Sequence, residues 1–185
     1  MIEWTQETAE WYAAKYGEYP TNLLGLEGLD FQADETVLDL GCGTACALGH
    51  LASQHEALVL VGIDPVPRMV ELAQEAVDQA GLQSRITLKT GGASKIPAEN
   101  QSAQWVLAFD SYHHWPDADQ GLAEVRRILA PSGRFVITKD GGISDREQAD
   151  ALERRLTQAG FQVERNESMA GHGVSLQRWT CRLSS

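Results

Sequence analysis

The sequence predicts an α/β domain: a doubly wound, mostly parallel, seven-stranded sheet ending in an antiparallel hairpin, with helices on both faces. Three observations predict it. Short runs rich in β-branched residues or leucine alternate with longer helix-period segments over most of the chain. These runs are apolar on successive positions, as at Val37-Leu38 and Val59-Leu60-Val61, which is the pattern of strands covered on both faces. The last two runs have no helix between them, so they are expected to pair as a hairpin at a sheet edge.

In chain order, residues 1–30 read as a helical N-terminal segment. Trp4, Trp11, Tyr12, Tyr16 and Tyr19 recur near helical spacing there. That aromatic face is expected to pack on the sheet; the alternative is a lid that touches substrate. Residues 33–140 form the core, with strands expected at Thr36–Leu40, Leu58–Asp64, Arg85–Thr90, Trp105–Asp110 and Arg134–Lys139. Helices are expected near 44–55, 67–80 and 118–130 between them. Residues 141–185 add a helix near 146–159 and two strands, Phe161–Arg165 and Val174–Arg182, joined through Met169-Ala170-Gly171-His172-Gly173. His172 is expected to be a solvated loop residue. No repeat or linker divides the 185 residues, so residues 1–185 read as a single domain.

Composition narrows the function. With 43% hydrophobic residues the chain can bury a core, so a disordered chain is excluded. A net charge of -11 disfavours a phosphate backbone as partner, so nucleic acid is not expected. The longest apolar stretch, Ala57–Ile63, is too short to span a bilayer, and the first residues lack the basic start of a signal peptide. Three cysteines do not make a disulfide framework and fit a reducing compartment, so the expected location is cytoplasmic. Cys42, Cys46 and His50 recur every four residues, but Cys42 falls in a turn and no fourth ligand is evident, so no metal is expected.

The stretch Val37-Leu38-Asp39-Leu40-Gly41-Cys42-Gly43-Thr44 reads as a buried strand running into a glycine turn and then a helix. Ligands of open parallel sheets bind beyond the carboxyl ends of the strands, and this is the first such end. Gly41 and Gly43 let a ligand approach the backbone. Asp64, ending the second strand, is placed to hydrogen-bond ribose hydroxyls. Asp39, two residues before the turn, would repel a pyrophosphate, and the third glycine of the dinucleotide fingerprint would fall at Cys46. A nicotinamide-dependent oxidoreductase is therefore disfavoured. A nucleoside that carries positive charge instead of phosphates fits better.

S-adenosylmethionine is such a molecule, and the chain resembles the class I S-adenosylmethionine-dependent methyltransferases of small molecules. The resemblance rests on Leu38 to Thr44, Gly62-Ile63-Asp64-Pro65 with Met69, Gly91-Gly92-Ala93 with Ile96-Pro97, His113-His114-Trp115, and Leu129 to Arg134, in the right order. It implies a Rossmann-like fold and S-adenosyl-L-methionine as cofactor. Asp39, Gly41, Gly43 and the backbone at Cys42 would hold the methionine moiety, Asp64 the ribose. Pro65, Val66 and Met69 would flank the adenine, with Gly92 and Ala93 at its amino edge, and Phe109 would lie beneath the methyl group. Ala45 stands where the family has a third turn glycine. Gly92 stands where many members carry an Asp, which implies weaker adenine binding through the backbone or Ser94.

Methyl transfer is a direct displacement, so alignment dominates, and a base is needed only if the acceptor carries a proton. His113, His114 and Asp110 are the candidates for that base. Trp11, Tyr12, Tyr16 and Tyr112 are candidates for contact with a small-molecule acceptor. The loop after the fifth strand is too short for an inserted lid, so the N-terminal segment or a second subunit of a homodimer would cover the acceptor. A protein that binds the cofactor without turnover is the alternative to an enzyme.

Overall fold

In the computed structural model, residues 5–141 and 146–184 are described; Trp4 of the aromatic face lies outside them. Two helices, α1 (Gln6–Tyr16) and α2 (Thr21–Leu26), precede the sheet. The core then alternates β1 (Thr36–Leu40), α3 (Cys46–Gln54), β2 (Val59–Asp64), α4 (Pro67–Gln79), β3 (Ile86–Thr90) and β4 (Ala103–Phe109). A 3-10 turn at Tyr112–His114 leads to α5 (Ala118–Ile128), β5 (Leu129–Asp140) and α6 (Arg146–Gln158). The chain closes with β6 (Phe161–Gly171) and β7 (Val174–Leu183).

The seven strands lie in the order β3-β2-β1-β4-β5-β7-β6. The first five are parallel, and β7 runs antiparallel between β5 and β6. The expected doubly wound sheet with a terminal hairpin is the one observed. Successive apolar residues in β1 are explained by its two faces. Val37 meets α3 and α4 with Leu48, Leu51, Ala73 and Val77. Leu38 and Leu40 meet α5 with Leu122, Val125 and Ile128. α4 starts on Pro67, whose fixed φ suits a first helical position, and buries Met69, Ala73 and Val77 at i, i+4, i+8. α5 starts on Asp117, whose carboxylate accepts the Gln120 N–H at 3.0 Å. Among the described residues no helix is long and apolar enough to cross a membrane.

Three boundaries differ from expectation. The N-terminal segment is two helices, because Gly17 and Pro20 interrupt the helical pattern. β5 begins at Leu129, not Arg134, with a register shift against β4 between Ala103 and Trp105 that absorbs Pro131 and Ser132. The hairpin strands run to Gly171 and from Val174, so the turn is reduced to His172-Gly173, both at positive φ. His172 Nε2 lies 2.8 Å from Glu27 Oε1, tying the hairpin tip to the end of α2.

Candidate cofactor and acceptor site

The carboxyl ends of the parallel strands open on a cavity of about 1240 Å³. Gly41 and Gly43 supply its edge after β1, and Asp64 to Pro67 with Met69 the wall after β2. Gly92 to Lys95 follow β3, while Phe109 to Ser111 and His113 to Pro116 follow β4. Tyr12 of α1 reaches the same space from outside the sheet. Hollows of about 790 and 780 Å³ elsewhere are smaller and hold none of these residues.

Gly41 has φ +84°, and a Cβ there would sit 2.5 Å from the Cβ of Ser111. Ser111 in turn donates its hydroxyl to the carbonyl of Leu40, so the ends of β1 and β4 interlock. Gly41→Ala is expected to lower the thermal midpoint by about 4 °C or more, since left-handed strain and the collision together cost on the order of 1–3 kcal/mol. Differential scanning calorimetry checks this; an unchanged midpoint would mean Ser111 yields freely. Ala45, in place of a third glycine, also takes the left-handed conformation at φ +62°, which a glycine would adopt without cost.

The N–H groups of this turn are largely spent on the protein. Those of Gly41 and Cys42 both donate to the Ile63 carbonyl at 2.8 and 3.1 Å, and that of Ala45 to the Cys42 carbonyl at 2.8 Å. The Gly43 N–H donates to Asp64 Oδ2 at 3.1 Å, and Asp64 Oδ1 accepts from the Val66 N–H at 2.9 Å. A pyrophosphate would find few donors and two carboxylates here. Asp39 is 3% exposed, and its Oδ1 has no hydrogen-bond partner. Burial first, and then the Asp64 charge, push its carboxyl up to about 7. Burial likewise raises Asp64, against the pull of its two backbone N–H donors. A buried carboxylate with one partnerless oxygen, a second carboxylate at the cavity wall and a turn short of donors fit a cationic nucleoside such as S-adenosylmethionine.

At the other end of the cavity the rings of His113 and His114 lie 4.0 Å apart. Burial, then His114 and Lys139, lower His113 to about 4; burial and Lys139 also lower His114. Both are thereby held toward the neutral imidazole, and two imidazoles this close resist double protonation. Asp110 has φ +49°, and its carboxylate accepts from the Asp140 N–H and from Thr21. Burial raises its carboxyl. Burial also raises the Tyr12 hydroxyl, with Asp110, Tyr16, Asp64 and Asp140 adding to the shift.

Of the residues picked out in the sequence, Gly41, Gly43, Asp64, Pro65, Met69, Gly92, Ala93, Phe109, Asp110, His113, His114 and Tyr12 meet at this cavity. Five lie elsewhere. Asp39 sits behind the turn in β1. The Cys42 thiol is turned into the core, where a Cβ on Gly62 would lie 2.9 Å from its sulfur. Trp11 is 55% exposed and Tyr16 packs beside it, with Lys15 5.0 Å over both rings. Tyr112 packs on Trp115 at 4.9 Å, on the side of the sheet covered by α5. Lys95 lines the cavity without having been picked out; its position in the loop after β3 was the available signal. Among the described residues no group of three or more His, Cys, Asp or Glu is placed to hold a metal ion.

A family model described as a methyltransferase domain matches residues 37–133, just over half of the chain. The chain belongs to that family, the class I S-adenosylmethionine-dependent methyltransferases. Methyltransferase GfsG of Streptomyces halstedii is 35% identical over 124 residues, covering 67% of this chain and 44% of that protein. Demethylmenaquinone methyltransferase of Lactobacillus johnsonii is 36% identical over 110 residues, 59% of this chain and 45% of that protein. The chain thus spans less than half the length of these curated relatives. A solved methyltransferase of Aquifex aeolicus superposes with a TM-score of 0.80 at 18% identity, over 98% of this chain and 100% of that one, which speaks for the fold.

Proposed function

We propose that this chain is an S-adenosylmethionine-dependent methyltransferase that modifies an O, N or S atom of a small molecule. The observation that carries it is the one cavity whose β1–β2 end suits a cationic nucleoside and whose β4 end presents the His113–His114 pair, with Tyr12 lining the same space. Relatives named for demethylmenaquinone and 27-O-demethylrifamycin SV support a small-molecule acceptor. When bound, S-adenosylmethionine would supply a methyl carbon on a positively charged sulfur.

The chain's own residues do the rest. Asp64 binds the ribose hydroxyls while bracing Gly43, and Asp39 balances the positive charge of the donor. Pro65, Val66 and Met69 flank the adenine with Gly92 and Ala93 at its edge. A Cβ at Gly92 would meet nothing closer than 3.7 Å, so the space of the missing carboxylate is open. Asp110 is a positioning residue, since its carboxylate is committed to the Asp140 backbone. His113, uncharged and facing the cavity, takes the proton of a hydroxyl acceptor. Tyr12 covers the acceptor from α1, and the Thr44 hydroxyl holds the α1–α2 connection by donating to the Gly17 carbonyl at 2.7 Å.

Calorimetry with S-adenosylhomocysteine tests the donor site, and absence of heat at millimolar ligand would sink the reading. Formation of S-adenosylhomocysteine against a panel of hydroxylated, amine and thiol metabolites tests turnover. With an acceptor in hand, replacing His113 and His114 together by Ala is expected to lower kcat by about 10²–10⁴. Affinity for S-adenosylhomocysteine should stay within about threefold; an unchanged kcat would remove the base.

A further inference from the structure

The end of β3 meets the cavity through the turn Gly92-Ala93-Ser94-Lys95. The two adjacent glycines at its start differ in their surroundings. A Cβ on Gly91 would lie 2.8 Å from Pro97 Cδ and 3.3 Å from Ile63 Cγ2, so that side of the backbone is closed. A Cβ on Gly92 would meet only the Cβ of Pro65, at 3.7 Å, and Gly92 is not in the left-handed conformation. The space beside Gly92 is therefore open to the cavity, bounded by an apolar ring and available to a side chain without backbone strain.

The same turn is poor in acceptors. The Gly92 carbonyl already takes the Lys95 N–H at 3.1 Å, and the Ser94 carbonyl takes the Gln120 side-chain amide at 3.4 Å. Lys95, on the cavity wall, offers donors alone. Glu124, the carboxylate bonded to this loop, is spent on the Ile96 N–H at 2.8 Å and on Arg127. The carboxylates that do line the cavity, Asp64 and Asp110, stand at the ends of β2 and β4 and each hold two protein donors.

Resting on the adenine placement proposed above, we infer that Gly92 decides how the site reads the base of the methyl donor: the 6-amino group goes unread, and donors that carry a substituent on that nitrogen are accepted. The exocyclic amine of adenine has two N–H donors. With no carboxylate beside Gly92, replacing one N–H by N–CH3 takes no hydrogen bond from the protein, and the methyl group enters the open space against Pro65. Recognition then falls to Asp64 at the ribose and to Val66 and Met69 on the ring face, none of which reads the 6-position. A carboxylate at position 92 would do the opposite. It would fill the space and accept one N–H, so the plain amine would be favoured and a methyl group would be pressed against a charged oxygen.

The test is isothermal calorimetry of the whole chain with S-adenosylhomocysteine and, separately, with its N6-methyl analogue. The analogue is expected to bind the unaltered chain no more than about threefold more weakly than S-adenosylhomocysteine. Gly92→Asp should raise the preference for S-adenosylhomocysteine over the analogue by at least about fivefold. A greater loss for the analogue on the unaltered chain overturns the inference, and so does a Gly92→Asp variant whose preference rises by less. Should that variant not fold, the analogue on the unaltered chain decides. Failure of both ligands to bind the unaltered chain is a different result, and it strikes the donor site itself.

Discussion

Asp64→Ala is expected to weaken S-adenosylhomocysteine binding by about tenfold to a hundredfold, the worth of a hydrogen bond to a charged group at a buried site. The carboxylate has two duties. It would take the ribose hydroxyls, and it already accepts from the Gly43 and Val66 N–H groups, which otherwise have no partner at the turn and at the start of α4. Asp64→Asn separates them. The amide oxygen can still hold one backbone N–H, so this variant should keep a thermal midpoint nearer to that of the unaltered chain while losing most of the affinity. Titration calorimetry and a melting curve on both variants check the pair. Affinity within threefold for Asp64→Ala would remove the ribose assignment, whatever happened to stability.

Those residues were legible because the chemistry of an open parallel sheet is local to its strand ends. A buried strand followed by Gly-x-Gly, and a second strand ending in Asp, locate Gly41, Gly43 and Asp64 before any coordinates exist. Side chains whose direction depends on one residue of rotation were not legible. Tyr12 faces the cavity while its neighbour Trp11 faces solvent, since successive helical residues diverge by about 100°. The 3-10 turn after β4 likewise sends Tyr112 toward α5 and His113 toward the cavity. Contacts across long sequence separations were equally hidden: nothing near Gly41 announces Ser111, and nothing near Arg68 announces Glu10, whose carboxylate meets it at 3.0 Å and joins α4 to α1. The start of β5 was placed at Arg134 because the β-branched and aromatic run begins there, while the strand in fact starts at Leu129 and passes through Pro131 and Gly133 by an irregularity.

The buried Asp39 carboxylate behind the turn, its Oδ1 without a partner, has a consequence for stability that can be measured without any ligand. An acid held at about 7 when folded, against 3.8 as the ordinary value, binds its proton more tightly in the native state. Stability from this group is therefore full below about pH 4 and declines as pH rises toward neutrality; above about pH 7 the whole cost is present. Burial raises Asp64 as well, so it acts in the same direction. For Asp39 the cost is on the order of a few kcal/mol. Asp39→Asn removes the charge and keeps the shape of the protonated acid. At pH 8 the variant is expected to melt about 5 °C or more above the unaltered chain, and at pH 5 the gain should shrink to less than about half of that. An equal or lower midpoint at pH 8, or a gain undiminished at pH 5, would show that Asp39 is not an uncompensated charge. Saturating S-adenosylmethionine should then raise the unaltered chain more than the variant at pH 8. The cation relieves a cost that only the carboxylate imposes, so stability lost by the free protein reappears as affinity for the donor.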